Sequence, residues 1–559
     1  MRKAFKILAL ACLTIVILLV IFQITASIML PKIIRQKLEE GVAISSHGEY
    51  HLSIKKVTAN IFKRSVGIHN AELQFDTSDH GHSIDSSKVK WRGNIEHIAV
   101  SGIDVISFIR SKDISVQGVV LIGSNVEMIR PPEEKLKEDS AVNATDSLQN
   151  IFTSFHSVKV GSIITSKTSF SIFNSPADTL PAFQTKNINV NLKDITFDSI
   201  TLYSRHRLFD AKKASAIIRD MQFVTSDSLF TLTIPITEFS YHDYSIHIDS
   251  LHFSPRCSRD EFLKKIPFEK DYLEIFVRRI DLKNANIKGL LEKKECIASK
   301  MLIDSMMVEA YRDKNLPDDR KVKPMPLDLL SKAPFLISLD SVLLHHVNIL
   351  YIERTCDAKV PGKVWFDDIN ATLTKVTNDS VLHRDDTLTI HARGLLMGEG
   401  KTVINFHFPL FSSSKSFFGS GEVGAMSMKA LNPMLEKNAF ISAKTGMIKK
   451  VEFTMSADAV QSRGELLLMY NDLEVAKLNS SDPDGSAFPQ KVISAIANLF
   501  LRKNNPEPKS GTRQSIMYWR RDPTRSIFNY VWKTIFSGVK DTFGLPEGKN
   551  TTIGTTTCP

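Results

Sequence analysis

The chain has 559 residues and little cysteine, and that scarcity removes several classes of protein at once. Its five cysteines, Cys12, Cys257, Cys296, Cys356 and Cys558, include no closely spaced pair, so neither a zinc knuckle nor a C-x-x-C redox site is present. One disulfide among Cys257, Cys296 and Cys356 is compatible with the spacing, but the chain is not disulfide-built. A glycine-rich phosphate loop, an H-E-x-x-H pair and a G-x-S-x-G elbow are all missing. His80-Gly81-His82 lies in a polar stretch with no third ligand at a telling distance, and His345 and His346 are expected on opposite faces of a strand. Asp367-Asp368 and Asp385-Asp386 have the surroundings of turn residues rather than of glycosidase acids. The sequence therefore reads as a non-enzyme without a cofactor or a metal.

Long hydrophobic runs are equally scarce, with one exception. Arg2, Lys3 and Lys6 precede an uncharged stretch from Ile7 to Leu30 in which Gln23 is the one clearly polar side chain. At ~1.5 Å per residue a helix of that length reaches roughly 36 Å, enough for a bilayer core of about 30 Å. A cleaved signal peptide is the rival reading, with Ala26-Ser27 supplying small residues, but the run exceeds an ordinary signal-peptide core and favours an uncleaved anchor. The preceding positive charges place the N-terminus in the cytoplasm and everything after Leu30 outside it.

The net charge is +10 with a pI near 9.1. Ten basic residues lie between Gln490 and Leu545 against the three acids Glu507, Asp522 and Asp541, so the excess is local. A local excess of this kind argues against a nucleic-acid binder.

What the chain does have is β pattern. After PKIIRQKLEE, a short helix starting at Pro31 with Ile33, Ile34 and Leu38 on one face, alternation dominates to about Ser480. INVNL at 188–192, IHI at 246–248, VINFHF at 403–408 and VEFTM at 451–455 are examples. One pattern recurs: h-x-h-D-S-h-x-h, with h apolar. It occurs as ITFDSITL (195–202), IHIDSLHF (246–253), MLIDSMMV (301–308) and ISLDSVLL (337–344), with looser copies VKVGSIIT (158–165) and ISVQGVVL (114–121). Its first, third, sixth and eighth positions cannot share a face of an unbroken strand. They regain a common face where a residue between them is bulged out, or where the chain turns a corner. Asp and Ser suit either device, because their side chains bond nearby backbone and tolerate bent conformations. The intervals between copies are irregular, which excludes a rigid solenoid and predicts one structural event recurring in a sheet.

These features divide the chain into an anchor (1–30), a helix and first β region (31–130), a polar linker (131–150), central β repeats (151–311), and a polar, proline-rich break (312–334). A second β region (335–480), a basic helical tail (481–545) and a disordered end (546–559) follow. In the tail, VISAIANLFLRK aligns Val492, Ile496, Leu499 and Phe500, and SIFNYVWKTIFSGVK aligns Phe528, Val531, Trp532 and Ile535. Two readings of it stand: interfacial amphipathic helices, with Arg502, Lys503, Arg520, Arg521, Arg525, Trp532 and Lys533 facing a membrane surface, or helices that cap the end of the sheet.

Three passages resemble the AsmA-like family of Gram-negative envelope proteins, in its Bacteroidetes-type members. They are residues 93–131, residues 421–478 with their LNP helix and following G-x-[IL]-x-x-[VL]-x-F strand, and the basic tail. The resemblance implies a long curved antiparallel sheet forming an open trough, held at the inner membrane and projecting into the periplasm. It further implies a part in moving phospholipid between membranes or in outer-membrane homeostasis, with envelope proteins or further copies of the chain as partners. Under that reading Ile195, Phe197, Ile246, Ile248, Ile337, Leu339, Val342 and Leu344 line the groove. The alternative is a non-transporting scaffold that holds envelope proteins through its sheet edges.

Overall fold

The computed structural model describes residue 25 and residues 27–75, 89–104, 107, 113–130, 157–198, 210–355, 358–478 and 502–544. The fold is mostly β, and it divides into two compact units. The expected anchor lies outside the described residues except for its last few, as do the polar linker and the first tail helix. Among the described residues, no helix is long and apolar enough to cross a membrane.

Unit 1 holds residues up to Ser226 together with Thr233–Asp243. Its strands are β1 (Tyr50–Asn60), β2 (Ser65–Phe75), β3 (Lys90–Ser101), β4 (Asp113–Ile129), β5 (Ser157–Phe173), β6 (Phe183–Asp198) and β7 (Asp210–Val224). They pair in chain order, all antiparallel except the parallel pair β4–β5. The helix over residues 27–45 lies on β1: Ile34 packs on Ile54, Val57 and Ala71, and Glu39 Oε1 accepts the Ile54 backbone N–H at 2.8 Å. That contact satisfies an edge donor which would otherwise template another strand. Ile33 and Leu38, expected on the same face as Ile34, point to solvent instead.

The strand β8 (Phe230–Ser240) is divided between the units. Unit 2 then contains β9 (Ser245–Pro255), β10 (Tyr272–Lys283), β11 (Glu295–Asp313), β12 (Leu336–Arg354), β13 (Gly362–Thr377), β14 (Thr387–Leu396) and β15 (Gly400–Pro409). It continues with β16 (Phe417–Val423), β17 (Met426–Ser427), β18 (Ile441–Ala457), β19 (Gln461–Lys477) and β20 (Ser515–Arg520). Neighbours are antiparallel except for the parallel pair β11–β12, and β18 takes both β16 and β17 as partners.

Among the described residues the expected bulges exist, and they are ordered; in ITFDSITL residues 199–202 lie outside the described residues. In IHIDSLHF and MLIDSMMV the serine takes a positive φ, 58° at Ser250 and 57° at Ser305, and drops out of the hydrogen-bonded ladder. A left-handed residue breaks the alternation, so the apolar pairs on its two sides fall on one face. These residues line up across strands. Ser250 and Ser305 flank Arg278, and Ser305 sits beside His346 (φ 53°) in the parallel pair. Side chains reinforce the row, because Asp304 accepts from Arg278 at 2.7 Å and lies 3.3 Å from His346 Nδ1. The Arg278 hydrogen bond is the main reason that the Asp304 carboxyl is held below its ordinary pKa.

A second row runs parallel to the first through Tyr244 (φ 47°), Asn284 (φ 52°), Ser299, Asp340 and Lys375 (φ 58°). ISLDSVLL belongs to this row. Its skipped residue is Asp340, opposite the left-handed Lys375, while the left-handed residue of β12 itself is His346. The two rows lie six residues apart, as Ser299 and Ser305 or Asp340 and His346 show. Unit 1 repeats the construction. One row holds Asn70, Gly123, Lys167 and Asp220; the other holds Arg64, Gly102 and Asp194, with Gln117 and Gly161 skipped between them. The looser copies ISVQGVVL and VKVGSIIT therefore mark the second row of unit 1.

The recurring motif is the local trace of a larger duplication. Residues 50–75 (YHLSIKKVTANIFKRSVGIHNAELQF) align without a gap with residues 230–255 (FTLTIPITEFSYHDYSIHIDSLHFSP), about 180 residues later. Ile54 and Val57 are buried in one, Ile234 and Thr237 in the other. Backbone contacts repeat as well. Ile103 N–H donates to Arg64 O and Asp104 N–H to Ser115 O; Ala285 and Asn286 do the same to Tyr244 and Ile297. Asp104 Oδ1 caps Ser107 N–H as Asn286 Oδ1 caps Gly289 N–H. In each block one parallel pair, β4–β5 or β11–β12, follows these elements.

Unit 2 closes at its C-terminal end. The helix Ile527–Phe543 begins at Ser526, whose hydroxyl accepts the Asn529 N–H, and stops at Gly544 with φ 77°. Tyr530, Thr534, Gly538 and Thr542 face the sheet. A Cβ at Gly538 would come within 2.7 Å of Met517, so the small residues let the helix sit directly on β19 and β20. The sequence stripe of Phe528, Val531, Trp532 and Ile535 is thus split: Val531 and Ile535 pack against the core, while Phe528 and Trp532 are exposed. Residues Ser515–Arg520, inside the expected helical tail, form a strand, because alternating Ser515 and Met517 turn inward against β19. Cys257 and Cys296 are free thiols, and Cys356 lies outside the described residues.

The kink rows give a direct stability test. Ser305→Val places a β-branched residue at a positive φ and is expected to cost about 1–3 kcal/mol. Ser305→Asn and Ser305→Gly are expected to stay within roughly 0.5 kcal/mol of wild type. Urea unfolding midpoints at constant slope distinguish these outcomes.

Candidate apolar groove

Strand register sorts the expected groove residues into three places. Ile246 and Val342 share a rung with Leu282 and Met301 between them, and Ile248 and Leu344 share the next rung with Ile280 and Ile303. Leu339 and Ile337 lie further along β12, opposite Ala298 and Cys296. Ile195 belongs to unit 1, in a cluster with Val116 and Val160; Phe197 lies on β6 opposite Val158, and its side chain is outside the described residues. Ile195 is 1% exposed, Ile246 6%, Leu339 5% and Val342 7%. These four are packed interior, whereas a lipid chain needs apolar surface that is still open.

Open surface lies in unit 1, beyond the first kink row, on residues not picked out from the sequence. One rung there runs Leu52, Leu73, Gly93, Val126 and Phe170 across β1 to β5. The rung beside it contains Tyr50 paired with Phe75, two residues beyond the last β2–β3 pair, and then Trp91, Met128, Ile172, Phe183 and Phe223, each paired with the next. Paired residues point to the same side of a sheet, so both rungs occupy one face. Aromatic rings connect them: Trp91 to Phe170 at 6.3 Å between centroids, Phe170 to Phe183 at 6.1 Å and Phe183 to Phe223 at 4.5 Å. Trp91 is 40% exposed and Phe223 39%, and the aromatics between them are half-buried. At ~4.8 Å per strand, seven strands make this band about 30 Å wide.

The reverse face is polar. Glu72, Gln74, Arg92, Asn94, Asn125 and Glu127 alternate with the apolar set, and Arg92 pairs with Glu127. The sheet is therefore sided over these rungs, apolar on one face and polar on the other, with Ile129 and Phe173 as apolar residues at the end of the polar face. Gly93 makes a notch in the apolar face, because a Cβ there would come 2.3 Å from the Asn125 carbonyl oxygen. The resulting cleft of ≈ 250 Å³ is walled by Leu52, Ala71, Leu73, Trp91, Ile95 and Val126. Lys90 lies 5.2 Å above the Phe75 ring at the rim, and Arg130 is exposed at the end of β4. The signal for this face was present in the alternation of Trp91, Gly93 and Ile95 and of Phe170 and Ile172, but it needs the cross-strand register to become a surface.

The candidate membrane-facing residues divide between structural and outward roles. Arg525 bonds Glu269 at 3.1 Å and Asp318 at 3.0 Å, and both carboxylates are nearly buried. Arg521 donates to the Lys323 carbonyl at 2.7 Å. These two arginines fasten the C-terminal segment of unit 2 to the connection between β11 and β12. Lys533 is half-buried over the Trp519 ring, and its ammonium pKa is lowered, first by burial and then by the nearby cations Lys314 and Lys540. Arg502 and Lys503 each lie 4.0 Å from an acid, Glu507 and Glu474 respectively, in pairs of little energetic weight. Arg520 and Trp532 point outward. The capping reading thus accounts for Arg521 and Arg525, which act as an internal clasp, while Arg520 and Trp532 remain at the surface.

No group of three or more potential metal ligands occurs among the described residues, and His80 and His82 lie outside them. Asp368 is a kink residue with φ 47°, and Asp386 accepts from His383 at 2.7 Å in a turn. No family model matches this chain, and no curated protein matches it with significance.

The clasp yields a signed pH prediction. Burial raises the Glu269 carboxyl above its ordinary pKa, and Arg525 is the main opposing influence. Arg525→Ala leaves a nearly buried carboxylate without its partner and is expected to cost about 3–5 kcal/mol near neutral pH. A carboxyl whose folded pKa is raised disfavours folding when ionised, so the deficit should shrink as the pH falls and Glu269 protonates. Unfolding of the variant and wild type between pH 7 and pH 4.5 reads this directly; a deficit that grows on acidification contradicts it.

Proposed function

We propose that this chain handles phospholipid, holding acyl chains on the apolar face of unit 1 without catalysing a reaction. The observation that carries the proposal is the two-rung band from Leu52 to Phe223, an apolar surface with half-exposed aromatic rings on a sheet whose other face is charged. Apolar side chains covering seven adjacent strands exceed the scattered exposure of an ordinary surface. An acyl chain laid on this band gains about 0.8 kcal/mol per methylene removed from water, so ten methylenes supply roughly 8 kcal/mol, the scale of micromolar affinity. Lys90 and Arg130 stand where a phosphate headgroup would emerge from the band. The long apolar segment Ile7–Leu30 supports placing the chain at the inner membrane, with its body in the periplasm. The rows of kinks support a sheet that curls around its apolar side, as the AsmA-like resemblance implies. Transfer between membranes, with further copies or envelope proteins completing the path, is the role this reading assigns.

Isolation from membranes in mild detergent, followed by lipid extraction and mass spectrometry, tests it. Wild type is expected to retain glycerophospholipid. The double variant Trp91→Glu/Phe223→Glu, altered at exposed positions and unchanged in thermal midpoint, should lose at least about 80% of it. A lipid-free wild type that instead crosslinks to discrete envelope proteins would favour the scaffold role.

A further inference from the structure

The helix Ile527–Phe543 is apolar on two sides. Tyr530, Thr534, Gly538 and Thr542 face the sheet, yet the opposite side is not the polar face that a capping helix ordinarily shows to water. Phe528, Trp532 and Phe536 follow one another there at four-residue spacing. Phe528 is 59% exposed and Trp532 52%, and the Trp532 and Phe536 rings stack at 6.0 Å between centroids. Lysines flank this stripe. Lys540 lies 5.5 Å from the Phe536 ring, and Lys533 reaches over the Trp519 ring close to Lys314. The nearby carboxylates are already engaged: Glu353 accepts from Lys314 and from Tyr351, both at 2.7 Å, and Asp541 from Arg513 at 2.6 Å. Among the described residues, neither Lys533 nor Lys540 lies within ion-pair distance of a carboxylate. The outer side of the helix thus carries exposed aromatic rings edged by cations that the fold leaves without a counter-charge.

We propose that this side of the helix docks on a bilayer surface carrying anionic phospholipid, with Phe528, Trp532 and Phe536 entering the headgroup–acyl boundary and Lys533 and Lys540 meeting lipid phosphates. An apolar stripe edged by cations matches such a surface in both its parts. Tryptophan suits the boundary, since it combines a large apolar ring with a single N–H donor. Each lysine brought close to an anionic surface adds about fivefold to binding. A lipid phosphate at this place also relieves the mutual repulsion of Lys533, Lys540 and Lys314, which Glu353, already bonded to Lys314 and Tyr351, offsets only in part. A second copy of the chain is a poorer occupant, because a two-fold contact sets the same lysines against each other. The docking side belongs to unit 2 and needs nothing from the apolar band of unit 1, so either can hold without the other.

The test uses the full chain reconstituted in vesicles of phosphatidylcholine, alone or mixed with phosphatidylglycerol. Further vesicles of the same composition are added, so that the helix can meet its own bilayer or a second one. A photoreactive benzophenylalanine replaces Trp532 or, separately, Phe418, which is exposed on the face of β16 opposite to that of Phe417, the neighbour of Tyr530. On irradiation, position 532 should give at least about tenfold more lipid adducts with phosphatidylglycerol than without it, and at least about tenfold more than position 418. Lys533→Gln/Lys540→Gln, with an unchanged thermal midpoint, should lower the adducts at least about fivefold. Should that variant fail to fold, about 1 M salt must produce the same loss in the parent chain. Lipid adducts at position 532 that respond to neither phosphatidylglycerol nor salt would overturn the proposal, as would equal adducts at positions 532 and 418. Adducts to another copy or to an envelope protein in place of lipid would overturn it in favour of that occupant, and the absence of any adduct would overturn it as well. Phospholipid retained through Trp91 and Phe223 is read in a separate preparation, so failure here leaves the band of unit 1 standing.

Discussion

A left-handed residue in mid-strand, repeated at the same level from strand to strand, is the constraint on which this structure depends. An uninterrupted strand of 15 to 19 residues would present its side chains to alternate faces along its whole length. Here the alternation is broken every six residues, and in β11 the inward set becomes Cys296, Ala298, Met301, Ile303, Met306 and Val308. Each break costs backbone energy, which hydrogen bonds between neighbouring strands and side chains such as Arg278, Asp304 and His346 offset. Because adjoining strands must break at the same level for the ladder to resume in register, the rows run as continuous lines through unit 1 and over β9 to β13 in unit 2, and stop where β14 to β16 pair without a break. The apolar face between and beyond the rows exists only because these breaks are aligned.

The duplication gives that architecture two different endings. In unit 2 the apolar face is covered: Phe262 fills one end, and the helix Ile527–Phe543 lies on β19 and β20, fastened by Arg521 and Arg525. In unit 1 the corresponding face keeps Trp91 and Phe223 at the surface. The contrast also explains why burial and site diverge. Ile246, Leu339 and Val342 are apolar and inward, and they stabilise the sheet because nothing else can reach them.

Much of the fold was legible from pattern alone. Alternation found the strands, and the h-x-h-D-S-h-x-h phase slip required bulges, which Ser250 and Ser305 supply. The same pattern was ambiguous where different residues carry the kink. ISLDSVLL does break at Asp340, as its pattern required, but the left-handed residue there is Lys375 on the neighbouring strand, and the further break at His346 has no such motif; Arg278-Arg279 on β10 breaks the alternation with no Asp or Ser at all. Backbone conformation at such a point is set by neighbouring strands, which a local motif does not contain. The candidate groove was less legible still. Trp91, Phe170, Phe183 and Phe223 are far apart in the chain, and only strand register makes them neighbours. In the tail, Arg525 and Arg521 looked like a membrane-facing charge excess because their acids and carbonyl, Glu269, Asp318 and Lys323, lie about 200 residues or more away in sequence.

The central claim is that the sided sheet of unit 1 binds acyl chains on its apolar face and nowhere else on that sheet. Crystals grown with a phospholipid brominated along its acyl chains test this most directly, through the anomalous signal of bromine. The account predicts bromine peaks in a line over Leu73, Val126, Phe170 and Phe183. Peaks over the Arg92 and Glu127 face, or well-ordered lipid elsewhere with none over these rungs, would contradict it.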